Sequence, residues 1–119
     1  MNEVAVRELI EMVQIFCEDR DWDQYHNAKD LAIGISTEAN ELLDIFRFQN
    51  DADIKNIMES PERKTHVEEE LADVLFFVLR FAQMNEIDLK EALEVKIEKN
   101  GLKYPVNKAK GSSKKYDQL

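Results

Sequence analysis

The sequence predicts an all-α protein, a bundle of about four helices, and three observations carry that reading. Apolar residues recur at helical spacing, capping residues stand at the breaks between apolar stretches, and glycine (3) and proline (2) are too scarce for many turns. No run alternates polar and apolar residues as a half-buried strand would. At 119 residues the chain is sized for one domain with a modest core. Its 44% hydrophobic and 34% charged residues suit a helix-rich protein surrounded by water.

Each element has its own signal. Val6, Leu9, Ile10, Val13, Phe16 and Cys17 share one face of a first helix over 3–19. The segment RDWDQYHN (20–27) breaks that pattern and is expected to be a connection. Asn27 is placed to cap a second helix, with Asp30 in its acidic first turn, running to about residue 49. NDADIKNIMES reads as a short helix or turn. Ser60-Pro61 signals a third helix, serine as the cap and proline at the first helical position, ending near 85. Asp88 with Glu91 starts a fourth, which Asn100-Gly101 is expected to stop. The organisation is therefore a helical domain over 1–104 and an irregular basic tail over 105–119.

The third helix is apolar nearly all round between Leu71 and Phe81. A four-helix monomer cannot cover such a helix on every side, so a second subunit is expected to bury part of it. Net charge is −9, and residues 101–119 hold five lysines against one aspartate, which leaves −13 on the first 100 residues. An acidic body of this kind argues against general nucleic-acid binding, which needs a basic face. The longest apolar run, VLFFVL, is far too short to span a membrane. One cysteine, Cys17, allows no internal disulfide and suits a reducing compartment; with no secretory pattern at the N-terminus, a cytoplasmic location is expected.

Two pairs of acids stand out. Glu38 and Glu41 are i, i+3 on the second helix, on a stripe with Leu31, Ile35, Leu42 and Ile45. Glu70 and Asp73 repeat the spacing on the third, on a stripe with Val67, Val74 and Phe77. Four ionised carboxylates on faces meant for burial need either basic partners or bound cations. Basic residues nearby are few, namely Arg47, Arg63, Lys64 and Arg80. Carboxylates gathered from facing helices form a ligand set for Mg²⁺ or Mn²⁺, and no Cys/His cluster competes for zinc. The plain alternative is that both pairs are solvated flanks of amphipathic helices.

Glu38-x-x-Glu41, 28 intervening residues, then Glu70-x-x-Asp73 resembles the E-x-x-E…E-x-x-D signature of the all-α, MazG-like nucleoside triphosphate pyrophosphohydrolases. RDWDQYH, ELLDIFRF, EEELADVLFFVL, KIEKNGLKYP and SSKKY are similar to the dCTP pyrophosphatase-like branch, and together they cover nearly the whole chain from residue 20. The resemblance implies a helical bundle assembled as a dimer or dimer of dimers. It implies Mg²⁺-dependent hydrolysis of a (d)NTP to (d)NMP and pyrophosphate, with dCTP or another canonical or modified pyrimidine dNTP as the expected substrate. It makes Glu38, Glu41, Glu70 and Asp73 the metal ligands, with Glu41 or Glu38 also handling the attacking water.

By the same resemblance Lys96 and Asn100, i, i+4 on the fourth helix, meet phosphates and sugar, together with Tyr104. Trp22 and His26 fall in the segment that helps to form the base pocket. Phe48 stands where relatives often carry Trp, and Phe77 where Tyr occurs. Taken without the resemblance, Trp22 reads as packing for a helix corner and Lys96 as a surface cation. The competing function from another class is a non-catalytic helical oligomer whose acids only bind a metal or a partner.

Overall fold

A computed structural model describes residues 5–119. Every regular element among them is helical: α1 (Val6–Glu18), α2 (Ala28–Phe46), α3 (Asp51–Glu59), α4 (Pro61–Met84), α5 (Leu89–Lys103) and α6 (Val106–Ala109), with short 3-10 turns at Asp23–Tyr25 and Tyr116–Gln118. The all-α expectation holds. The chain forms two compact units, one ending at Glu86 and the other Ile87–Leu119.

In the first unit α4 is the central helix, with α1, α2 and α3 packed around it. All four contribute to the core: Val13 and Cys17, Leu31, Ile57, then Val67, Leu79 and Ala82. The expected caps are in place. Asn27 Oδ1 accepts from the Asp30 backbone N–H at 2.8 Å, and Ser60 Oγ accepts from that of Arg63 with Pro61 in the first turn. NDADIKNIMES resolves as helix because Asn50 and Asp53 form a reciprocal capping box. That box requires an extended Asn50, so α2 stops at Phe46 rather than near 49, and the chain turns through Phe48 at φ +65°.

α1 ends in a paired closure: Trp22 N–H reaches Cys17 O at 3.1 Å and Asp21 N–H reaches Glu18 O at 3.0 Å, with Asp21 at φ +54°. This 6→1 and 5→2 arrangement satisfies carbonyls at the helix end and fixes where Trp22 leaves the helix.

Gly34 on α2 lies against the Phe77 ring of α4. A Cβ there would lie 2.6 Å from two ring carbons of Phe77. A glycine inside a helix costs about 1 kcal/mol relative to alanine, so the close contact is what it permits. Gly34→Ala is expected to destabilise the protein by about 1–2 kcal/mol despite its better helix propensity, because the ring must move. Thermal melts check this, and Phe77→Leu in the same chain should restore the loss; an unchanged melt would show that the ring yields freely.

In the second unit Asp88 caps α5 by accepting from Glu91 N–H at 3.1 Å. The helix runs through Gly101 to Lys103 instead of stopping at Asn100-Gly101. Gly101 has open space beside it and no positive φ, so nothing forces a break. The basic tail is not wholly irregular: α6 forms, and Tyr116 returns to pack edge-on against Tyr104 at 6.1 Å, with Lys103 over the Tyr116 ring.

Candidate functional site

The i, i+3 spacing on α2 and the packing of α2 on α4 bring Glu38, Glu41 and Glu70 together. One carboxylate oxygen from each lies within 4.8 Å of the others. Glu38 Oε2 and Glu70 Oε2 are buried and have no hydrogen-bond partner among the described residues. Burial, then a hydrogen bond to Glu41, then repulsion by Glu41, Asp73 and Glu70 raise the pKa of Glu38 above 4.5. Glu70 is raised by burial, by its hydrogen bond to Glu41 and by Glu41's charge, opposed by His66, whose Nδ1 stands 4.0 Å from Glu70 Oε1. Clustered, mutually repelling carboxylates, two of them with a buried oxygen left unbonded, suit a hard dication with oxygen ligands.

Asp73, one turn beyond Glu70, lies outside that three-residue group, yet its charge acts on both Glu38 and Glu70. It borders an apolar cavity of about 460 Å³ lined by Met12, Val13, Phe16, Trp22, Phe76 and Phe77. The lining is an aromatic chain, Trp22 to Phe16 to Phe76 to Phe77, with successive centroids 5.5–5.8 Å apart in edge-to-face contacts. A second cavity, of about 480 Å³, opens at Glu41 and has charged and polar residues in its lining: Asp44, Gln49, Glu62, Arg63 and His66, with Ile45 and Ile57. Both volumes fall in the range of small-molecule sites. The acids thus stand between an aromatic and a charged recess.

The remaining expected site residues divide into two groups. Trp22 and Phe77 line the aromatic cavity, and the His26 ring lies 5.9 Å from that of Trp22. Phe48 lines none of these cavities and is 91% exposed, with Arg47 over its ring. Lys96, Asn100 and Tyr104 belong to the second unit. Lys96 and Asn100 share a face of α5, and Asn100 O accepts from Tyr104 N–H at 2.8 Å. Sequence reasoning passed over Gly34, which seats Phe77, and His66. Arg80, counted in the sequence among the few basic residues near the acids, is instead wholly buried and bonds His26 and Asp23. A glycine inside a helix and an arginine inside VLFFVLRF were the available signals.

The MazG-like family profile matches residues 33–119, which include all four acids. The chain belongs to the MazG-like family. Among curated relatives, dCTP pyrophosphatase 1 of Rattus norvegicus and of Homo sapiens are each 33% identical over 104 residues, 87% of this chain. The chain spans about three fifths of their length, 61% in both cases. A crystal structure of a pyrophosphatase from Archaeoglobus fulgidus is 40% identical and superposes with a TM-score of 0.77, covering 88% of this MazG-like chain and 96% of its own.

Proposed function

We propose that this MazG-like protein is a metal-dependent nucleotide pyrophosphohydrolase that splits a deoxynucleoside triphosphate into the monophosphate and pyrophosphate. The observation that carries the reading is the Glu38–Glu41–Glu70 cluster with its two orphaned oxygens. The relatives' names support dCTP as the substrate; a modified pyrimidine counterpart and a house-cleaning role belong to the same proposal.

Glu38, Glu41, Glu70 and Asp73 would hold Mg²⁺, or Mn²⁺ in its place, which when bound would offset the triphosphate charge and make water more acidic. Glu41 is the exposed member of the α2 pair and would orient the attacking water and take its proton. Oxygen from water then bonds to the α-phosphorus as the α–β anhydride bond breaks. The aromatic cavity beside Asp73 would take the base, with Trp22, Phe77 and His26 around it. Arg63 and His66 would face the departing pyrophosphate on the side of the second cavity. By resemblance, Lys96, Asn100 and Tyr104 are proposed to meet phosphate and sugar, and Phe48 the base.

A homodimer or dimer of dimers is part of the proposal. Leu71 and Leu75 on α4 remain 55% and 46% exposed and edge an apolar groove with Ala72, Val74 and Val78. Sedimentation as a monomer would remove it. No described helix is long and apolar enough to cross a membrane, and the buried free thiol of Cys17 fits a reducing, cytoplasmic setting.

Product analysis tests the reaction. Incubation of dCTP and a dNTP panel with Mg²⁺ should yield monophosphate and pyrophosphate in equal amounts. Release of orthophosphate or of a nucleoside diphosphate would mean a different bond is cut. Inertness toward every nucleotide, with and without metal, would favour a non-catalytic binding module.

A further inference from the structure

Arg80 is an ion placed in the core of α4. It is 0% exposed, while its neighbours Leu79 and Ala82 are core residues. An arginine so buried costs several kcal/mol unless its donors are used. Here three of them are used. Nε donates to His26 Nδ1 at 2.9 Å, Nη2 donates to the Asp23 carboxylate, and Nη1 donates to Gln83 Oε1 on the same helix. Two of the three partners, His26 and Asp23, belong to the 19–27 connection, 54 and 57 residues away in sequence. That connection carries Trp22, a wall of the aromatic cavity.

The chemistry of the contact fixes a proton. A guanidinium has only donors, so His26 Nδ1 must accept, and the neutral ring carries its hydrogen on Nε2. Burial, then the Arg80 charge, lower the His26 pKa below 6.5, against the pull of Asp23, so the ring stays neutral at physiological pH. A neutral imidazole with a fixed Nε2–H is a single, oriented donor beside Trp22.

We infer that Arg80 is a positioning residue for nucleotide binding: it holds His26 as the Nε2–H tautomer and pins the connection that keeps Trp22 against the cavity. The inference rests on the pyrophosphohydrolase reading for the identity of the ligand, but not for the tautomer. It also explains why the ion is retained in the core, where a leucine of similar bulk would pack without desolvation cost. Lysine cannot replace it, because one ammonium cannot serve the imidazole, the carboxylate and the amide in that planar spread.

Two measurements on the full chain test it. Two-bond ¹H–¹⁵N correlation spectra of the wild type at neutral pH should show His26 almost wholly as the Nε2–H tautomer, with the exposed His66 as internal comparison. A His26 in the Nδ1–H form, or charged, overturns the inference without need of any variant. In Arg80→Lys the tautomers should mix, and KM for dCTP should rise about tenfold while kcat changes less than about threefold. His26→Gln, which keeps an acceptor for Arg80 and a donor beyond it, should hold KM nearer the wild type than His26→Leu. A loss in kcat at unchanged KM, or no change in either, would leave Arg80 a merely structural residue. An active wild type with the wrong tautomer defeats only this inference; an inactive wild type with the right one defeats the enzymatic reading, and the binding role with it.

Discussion

Glu41→Gln should lower pyrophosphate release by about a thousandfold or more while leaving a folded chain that, without metal, melts several degrees higher than the wild type. The two effects share one cause. Glu41 is the carboxylate to which both Glu38 and Glu70 are coupled, by hydrogen bond and by charge. Its replacement by a neutral amide removes repulsion from both and supplies N–H donors where the orphaned Oε2 atoms have none. The same change removes a ligand from the cluster and the group assigned to the attacking water. Asp73→Asn should cost comparable activity with a smaller gain in stability, since Asp73 lies outside the 4.8 Å group. Assays of product and calorimetry on the same preparations decide it. Retained turnover would take the residue out of the site, and a lower melting temperature would show that its charge is compensated in the folded protein.

Added Mg²⁺ at neutral pH should raise the melting temperature by about 10 °C when present at about a hundred times its dissociation constant, a gain of about 2.7 kcal/mol. The effect should vanish in acid, and the sign follows from the shifts. Glu38 and Glu70 have folded pKa values raised above the ordinary 4.5. The folded protein therefore holds those protons more tightly than the unfolded chain, a stabilising contribution present in full below pH 4.5. It is lost as pH rises through the raised folded values. His26, lowered from 6.5, acts oppositely: its contribution is present above 6.5 and is lost as pH falls through its folded value. Because His26 contributes equally with and without metal, the difference between the two melting curves isolates the acids. That difference should be near zero around pH 4.5 and grow toward pH 7 as the carboxylates ionise and become ligands. A constant difference across that window, or none at millimolar Mg²⁺, would speak against a preformed carboxylate site.

Much of this was legible in the order of residues because it depends on neighbours three or four positions apart. The pairs Glu38/Glu41 and Glu70/Asp73, the caps at Asn27, Ser60 and Asp88, and the apolar faces of the long helices are local patterns that a helix converts directly into geometry. The capping box at Asn50 and Asp53 was equally local, and it settles NDADIKNIMES as helix and shortens α2. Where local signals were weak they misled. Asn100-Gly101 marks a stop only if the chain must turn there, and α5 continues past it. The lysine-rich end has no periodic pattern, and its order comes from Tyr116 packing on Tyr104, a contact between residues twelve apart.

The sequence by itself determined an all-helical chain with two acidic pairs on faces otherwise meant for burial, since both follow from side-chain periodicity along single helices. Only the tertiary structure decided which oxygens meet. It joined Glu38 and Glu41 to Glu70, left Asp73 at the edge of an aromatic cavity, and set Gly34 against Phe77. It also carried Arg80 through the core to His26 and Asp23. The physical reason is reach. Convergence depends on how far and at what angle α2 and the 19–27 connection approach α4, and on where a long side chain ends, which no spacing within one helix specifies.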